Sequence, residues 1–159
     1  MKKIGALVIG LILLAFLSSC NREDEQNIYG VYEFEEISYL SSAISATKEY
    51  VESHIEGTRC TIKEDLFKIE FPGETIEFSS PKYIKEEIFD EASTLSEIYT
   101  FIDSDADYQY TIYDKDGNNT NWILYVSSDK IWIIKTYIDN TADGSERIIY
   151  VFKLSKLSN

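Results

Sequence analysis

Apolar residues follow two different patterns along the chain. Ile4 to Leu17 form an almost unbroken apolar run after Lys2 and Lys3, whereas apolar and polar residues alternate from Ile28 onward. A helix that crosses a membrane needs ~20 apolar residues, more than this run provides. A basic start followed by a short apolar run is typical of a secretory signal. The two patterns therefore divide the chain into an export leader and a folded region.

Alternation with a period of two predicts β-strands in the folded region. The clearest example is Phe67, Ile69 and Phe71, which are separated by Lys68 and Glu70. Such a strand places one face on a core and the other face in water.

The first strand carries a change of phase. Tyr32 and Phe34 alternate with charged residues, and the apolar positions then move to Ile37 and Tyr39. An extra residue within the strand produces this shift, so the pattern predicts a β-bulge or the end of the strand.

One short helix is expected after this strand. Thr47 can cap its start, Glu49 lies in its first turn, and Gly57 can stop it. Its apolar stripe is narrow, so we expect the helix to lie on the surface of the sheet or to plug one end of it.

The last third of the chain predicts a meander. Its apolar positions are Trp122, Leu124 and Val126, then Trp132, Ile134, Thr136 and Ile138 with Lys135 on the other face, then Ile148, Tyr150, Phe152 and Leu154. Short turns between such strands build antiparallel sheet. The sequence thus predicts a mainly β domain at 28–159, with about eight strands in an antiparallel up-and-down barrel or a strongly curled sheet.

The end of the leader carries a recognisable motif. Leu17-Ser18-Ser19-Cys20 resembles the lipobox of bacterial lipoproteins, in which the chain is cut before the cysteine and the cysteine is acylated. The resemblance implies a signal peptide at 1–19 and acyl chains such as palmitate on Cys20. Residues 20–27 then form an acidic tether, and Glu23-Asp24-Glu25 looks like an address for the outer face of the outer membrane, although a plain spacer explains it equally well.

The start of the domain resembles a second family. Gly30-Val31-Tyr32 is similar to the Gly-x-Trp opening of lipocalin-type barrels, with tyrosine in place of tryptophan. Together with the lipobox, the tether and the late meander, it makes the mature region similar in plan to small bacterial lipoproteins with lipocalin-like domains. The resemblance is architectural and brings no catalytic residue with it.

Charge and cysteine content narrow the possible partners. The leader carries two of the 15 basic residues and none of the 28 acidic residues, so its removal takes the net charge from −13 to −15. That charge repels phosphate backbones, and nucleic acid is not an expected partner. With Cys20 lipidated, Cys60 has no partner for an intramolecular disulfide and is expected to be a buried, inert thiol.

Aromatic side chains are the candidate ligand-lining or core residues. The chain has 12 Tyr, 8 Phe and 2 Trp. The residues that could point into the sheet are Tyr32, Phe34, Tyr110, Trp122, Trp132, Tyr150 and Phe152. If the side chains of Trp122 and Trp132 both point to the inner face of the sheet, they face the same enclosed space. The interior of a small barrel either is filled by side chains or holds one small ligand, and the sequence leaves both possibilities open.

Catalytic and metal-binding patterns are weak. Asp114 to Asn118 faintly resembles the start of a calcium loop, but the twelfth position is Tyr125 rather than an acidic residue, so a polar hairpin turn is expected. His54, the only histidine, falls on the predicted helix and is interpreted as solvated. The sequence therefore predicts no catalytic residue, no metal site and no cofactor.

These observations favour a binding protein over an enzyme. We expect a non-enzymatic module that is held in the bacterial cell envelope by its acyl chains and binds a small apolar ligand or an envelope protein. An envelope structural or assembly factor with a solid core is the alternative, and an acid/base hydrolase is a third. The outer membrane is the expected location, with its periplasmic and surface faces both open.

Overall fold

The computed structural model describes residues 28–88, 96–102, 106, 108–127, 129–140 and 146–157, so the leader, Cys20 and the tether lie outside the described residues. The described chain is mainly β, as predicted: nine antiparallel strands form one strongly curled half-barrel sheet, one more strand than the sequence suggested. The strands are β1 (Gly30–Leu40), β2 (Arg59–Lys63), β3 (Leu66–Phe71), β4 (Glu74–Ser79), β5 (Lys82–Glu87), β6 (Tyr108–Tyr113), β7 (Asn119–Val126), β8 (Lys130–Ile138) and β9 (Glu146–Lys156). A helix, α1 (Lys48–Ile55), follows β1, and a 3₁₀ helix spans Ser96–Thr100.

The strand order explains the curl of the sheet. The order is β4-β3-β2-β1-β9-β8-β7-β6-β5, so β4 and β5 form its two edges although they follow each other in the chain. Only Ser80 and Pro81 separate these two strands. Because two residues span very little distance, the sheet must bend until its edges meet at this link.

Hydrogen bonds fasten the two edges where they meet. The Ser80 amide donates to the Asp65 carbonyl oxygen at 2.7 Å. The Tyr83 hydroxyl of β5 lies 3.1 Å from the carbonyl oxygen of Lys63 and 3.0 Å from that of Leu66, in the β2–β3 hairpin.

The sheet buries apolar side chains on both of its faces. The concave cluster fills the inside of the curl, and its buried members are Ile28, Tyr32, Ile37, Ile55, Cys60, Ile62, Phe67, Ile69, Tyr110, Ile112, Trp122, Leu124, Val126, Ile131, Ile133, Phe152 and Leu154. The outer cluster lies on the opposite face of β7, β8 and β9, and its buried members are Ile98, Ile102, Ile123, Tyr125, Trp132, Ile134 and Val151. Residues in and around the 3₁₀ helix cover that second face.

The predicted bulge in β1 is confirmed. The pairing of β1 with β9 shifts between Phe34 and Glu36 and again between Ile37 and Tyr39. As a result, Ile37 stays in the concave cluster, whereas Tyr39 packs against the outer cluster.

The Gly-x-aromatic opening of β1 has a packing role. A Cβ atom at Gly30 would lie 2.7 Å from Cε of Lys156, so the glycine makes room for that lysine stem. The Lys156 ammonium lies 5.7 Å from the centre of the Tyr32 ring, where the ring's negative face attracts a cation. The Tyr32 hydroxyl donates to the Ile28 carbonyl oxygen at 2.9 Å and ties down the start of the domain.

The predicted helix is also confirmed. The Thr47 hydroxyl accepts a hydrogen bond from the Tyr50 amide at 3.3 Å and caps the first turn. The helix ends just before Gly57, whose φ of 82° lies in the left-handed region that glycine adopts without strain.

Candidate functional site

Six of the seven predicted aromatic residues lie together on the concave side. Tyr32, Tyr110, Trp122 and Phe152 are buried members of the concave cluster, and Phe34 and Tyr150 are partly buried against it. Their rings come from β1, β6, β7 and β9, which the curl of the sheet brings together.

Trp132 lies apart from these six. Trp122 pairs with Lys135 across β7 and β8, whereas Trp132 pairs with Tyr125 and belongs with it to the outer cluster. The condition that both tryptophans point inward is therefore not met, and they do not share an enclosed space. Neighbouring residues of a strand point to opposite faces, so the register of the hairpin decides the outcome.

The deep interior of the curl is filled by side chains. Phe67, Ile112 and Leu124 have no solvent exposure, and Trp122 is 1% exposed. The Phe67 and Trp122 ring centres lie 6.1 Å apart, which joins β3 to β7 across the interior. Close packing of this kind leaves no space for a ligand at that depth.

A continuous group of rings leads from the interior toward the rim. Trp122 and Tyr150 are 5.9 Å apart, and Tyr150 stacks on Phe152 with ring centres 4.1 Å apart and planes 7° from parallel. Phe152 then makes T-shaped contacts with Phe34 and Phe71, with ring centres 5.9 Å and 6.4 Å apart. The aromatic side chains thus form a wall that ends near the β3–β4 turn.

A cavity of about 520 Å³ lies against the end of this wall. It is bounded by α1, the end of β1, the β3–β4 hairpin and β9, and it is open to solvent on one side. Its lining consists of Leu40, Ile44, Val51, His54, Ile55, Phe71, Pro72, Gly73, Glu74, Ile76, Tyr150 and Phe152. Most of these side chains are apolar. We call this space the rim cavity.

The side chains of Glu74 and His54 and the phenol of Tyr150 are the titratable groups that line the rim cavity. Burial, and secondarily the Glu74 carboxylate, raises the pKa of Tyr150 well above its ordinary value, so its hydroxyl stays neutral. His54 is exposed, and its Nδ1 lies 2.7 Å from the Tyr50 carbonyl oxygen. In neutral His54 that contact places the proton on Nδ1 and leaves Nε2 as an acceptor.

The sequence predicted that Lys135 and Trp132 lie on opposite faces of β8, and they do. If Trp132 pointed inward, Lys135 would lie on the outer face, but Trp132 lies on the outer face and Lys135 on the concave face. Its ammonium is 4.8 Å from the centre of the Trp122 ring and donates to the Thr120 carbonyl oxygen at 2.9 Å. Burial lowers the pKa of Lys135, since a charged group loses hydration there. The amine therefore has protein partners beside the aromatic wall.

The other sequence candidates have structural roles. The Asp114 carboxylate accepts hydrogen bonds from the Asn118 side chain and from the amides of Asp116 and Asn118, and these bonds lower the pKa of Asp114. Its oxygens therefore close a polar hairpin turn. Cys60 is fully buried, and burial raises the pKa of its thiol, which matches the expected inert state.

The described ranges contain neither a candidate metal site nor a candidate membrane-spanning helix. Within them, no group of three or more His, Cys, Asp or Glu side chains is placed to hold a metal ion. None of the helices in those ranges has the length and apolar character needed to cross a membrane.

The sequence did not identify most of the rim cavity. Tyr150 and Phe152 were candidates, but the residues contributed by α1 and the β3–β4 turn were not. The local signals were present: Pro72-Gly73 marks a turn directly after Phe71, and the stripe of α1 includes Val51 and Ile55. What the sequence lacked was the evidence that these segments meet.

Comparisons with known proteins found no relative. No protein-family model matches the chain, and neither the curated proteins nor the solved structures contain a match.

Proposed function

We propose that this protein is a non-enzymatic binding module that takes a small apolar molecule into the rim cavity. The observation that carries the proposal is the volume and lining of that space. Small-molecule sites enclose roughly 300–1,000 Å³ and combine an apolar wall with a few polar groups. The rim cavity has about 520 Å³, a mostly apolar lining, and Glu74, His54 and the Tyr150 hydroxyl as its polar groups.

The packed interior determines where the ligand lies. Because Phe67, Trp122 and Leu124 fill the depth of the curl, the ligand rests on the Tyr150–Phe152 stack near the rim. Planar rings gain contact area and favourable stacking on such a surface. The binding site is therefore shallow, and α1 forms one of its walls.

The lipobox resemblance supports a location for this module. We propose that Cys20 carries acyl chains that hold the domain in the bacterial cell envelope, with residues 20–27 as the tether. Cys20→Ala should move the protein from the membrane fraction to the soluble fraction after export. Continued membrane association of that variant at high salt would contradict the lipid anchor.

Saturable binding of the uncharged dye diphenylhexatriene tests the binding function. The full chain is made without export, so that Cys20 carries no lipid, and dye fluorescence is titrated. A Cβ atom at Gly73 would meet nothing within 4 Å, so Gly73→Trp can obstruct the cavity without backbone strain. Gly73→Trp should abolish most of the binding, whereas Gly73→Ala should retain it.

The same titration separates the alternative functions. Dye taken up by the apolar leader would be insensitive to Gly73→Trp, so only the difference between the two Gly73 variants counts as cavity binding. If that difference is absent, the solid interior favours an envelope structural or assembly factor whose partner is a protein.

A further inference from the structure

The rim cavity has an uneven distribution of charge. Glu74 stands at the first position of β4 and lines the cavity beside Phe71, Tyr150 and Phe152. In the described part of the chain, no lysine or arginine forms an ion pair with its carboxylate. The cavity thus combines an uncompensated negative charge with aromatic rings.

The amine of Lys135, which lies on the concave side, does not offset this charge. The Lys135 ammonium already donates to the Thr120 carbonyl oxygen and lies over Trp122, and Lys135 does not line the cavity. The Glu74 carboxylate also acts on the cavity wall itself, since it contributes to the raised pKa of Tyr150. The whole chain has 28 acidic and 15 basic residues, which strengthens the same preference over longer distances.

Aromatic rings and a carboxylate together recognise one kind of charge. The face of an aromatic ring attracts a cation, and a carboxylate pairs with one. An anionic head group would instead be repelled by the Glu74 carboxylate. We propose that the rim cavity selects an apolar molecule that carries a cationic nitrogen, a protonated or quaternary amine, with Glu74 as the residue that determines this preference. The inference rests on the proposed function, because it names the ligand class of the same cavity.

Three dyes with one apolar skeleton test the preference. They are diphenylhexatriene, its trimethylammonium derivative and its propionic acid derivative, each titrated at low ionic strength with the full chain. The cationic dye should bind about tenfold more tightly than the anionic dye, since an exposed or partly exposed charge contact changes affinity by about threefold to fivefold in each direction. Added salt should reduce this ratio.

Two matched variants assign the effect to one side chain. Glu74→Gln should weaken binding of the cationic dye by about threefold to fivefold and leave the uncharged dye within about twofold of its original affinity. Glu77→Gln makes the same change of charge on the same strand, but Glu77 pairs with Lys68 and lies on the outer face. It should therefore leave the ratio of the two charged dyes unchanged. Glu74→Lys should reverse their order.

The outcomes separate the inference from the proposed function. Absence of cavity binding by the uncharged dye would overturn the binding function itself. Cavity binding of that dye without a preference for the cation would overturn only the inference. Equal effects of Glu74→Gln and Glu77→Gln would also overturn it, because the preference would then come from net charge and not from the cavity.

Discussion

The two halves of the sheet bury their side chains in different ways. In β3, Phe67 and Ile69 are buried on the concave face, whereas Lys68 and Glu70 form an ion pair at 2.9 Å on the outer face. In β7 and β8 both faces are buried, because the region around the 3₁₀ helix covers the outer side. The half with both faces buried is the scaffold, and the rim cavity lies where the β3–β4 hairpin of the other half meets α1 and β9. The proposed binding site thus lies beside the half of the sheet whose outer face is exposed.

The largest expected effects come from placing a charge on each face. Ile133→Asp on the concave face and Ile134→Asp on the outer face should both unfold the domain, because each buries an unpaired carboxylate. In the other half, Ile69→Asp should unfold it too. Circular dichroism and urea unfolding provide the measurement.

Thr61→Asp is the matched control for that half. Thr61 lies on the outer face of β2 and pairs with Lys68, so the new carboxylate meets solvent and a cation. The variant should remain folded. Unfolding of Thr61→Asp, or a folded Ile134→Asp, would contradict the contrast between the two halves.

The same contrast explains which parts of the fold could be predicted. The alternation of Phe67 and Ile69 with Lys68 and Glu70 predicts a strand with one solvent-exposed face. The structure confirms this strand as β3. In β8 the run Ile131, Trp132, Ile133, Ile134 is apolar throughout, so periodicity cannot say which face is concave. Which face is the outer one depends on where Ile98 and Ile102, in and beside the 3₁₀ helix, pack on the sheet. These residues are distant from β8 in the sequence.

The two tryptophans provide the next test. Trp132→Ala should cost ~3–5 kcal/mol of stability through the cavity it leaves in the outer cluster. The conservative variants Trp122→Phe and Trp132→Phe then separate the faces. Because Trp122 contacts Tyr150 and Trp132 does not reach the concave side, only Trp122→Phe should change the affinity for diphenylhexatriene. Equal changes in affinity would contradict the separation of the two rings.

A smaller effect is expected in alkaline solution. Burial, then nearby Cys60 and Tyr110, raises the pKa of Tyr32 from its ordinary value of 10.0 to about 12. The unfolded chain loses this proton near pH 10 and the folded chain does so only near pH 12. The stabilisation is therefore complete below pH 10 and is lost as the pH rises toward 12, by up to ~3 kcal/mol.

Tyr32→Phe removes the titrating group while keeping the ring. The free energy of unfolding of this variant, measured in urea across that pH range, should fall less steeply than that of the parent chain. Parallel profiles for the two proteins would show that Tyr32 does not contribute to the alkaline loss of stability.

The rim cavity could not be predicted from the sequence either, but the reason differs from the one that applies to the faces of β8. Its walls come from Leu40, Val51, Phe71 and Phe152, which local patterns assign to three strands and a helix with no indication that they adjoin. His54 was correctly placed on the helix, but its position beside Glu74 and Tyr150 depends on where α1 docks. Long-range placement, not secondary structure, was the missing information.

The most direct test of the binding site follows isoleucine methyl groups by nuclear magnetic resonance while diphenylhexatriene is added. Ile44, Ile55 and Ile76 line the rim cavity, whereas Ile98, Ile123 and Ile134 lie in the outer cluster. Aromatic ring currents from the dye act over short distances, so the three cavity methyls should shift saturably and the three outer methyls should not. Shifts confined to the outer cluster, or no shift at any of the six, would contradict a ligand site in the rim cavity.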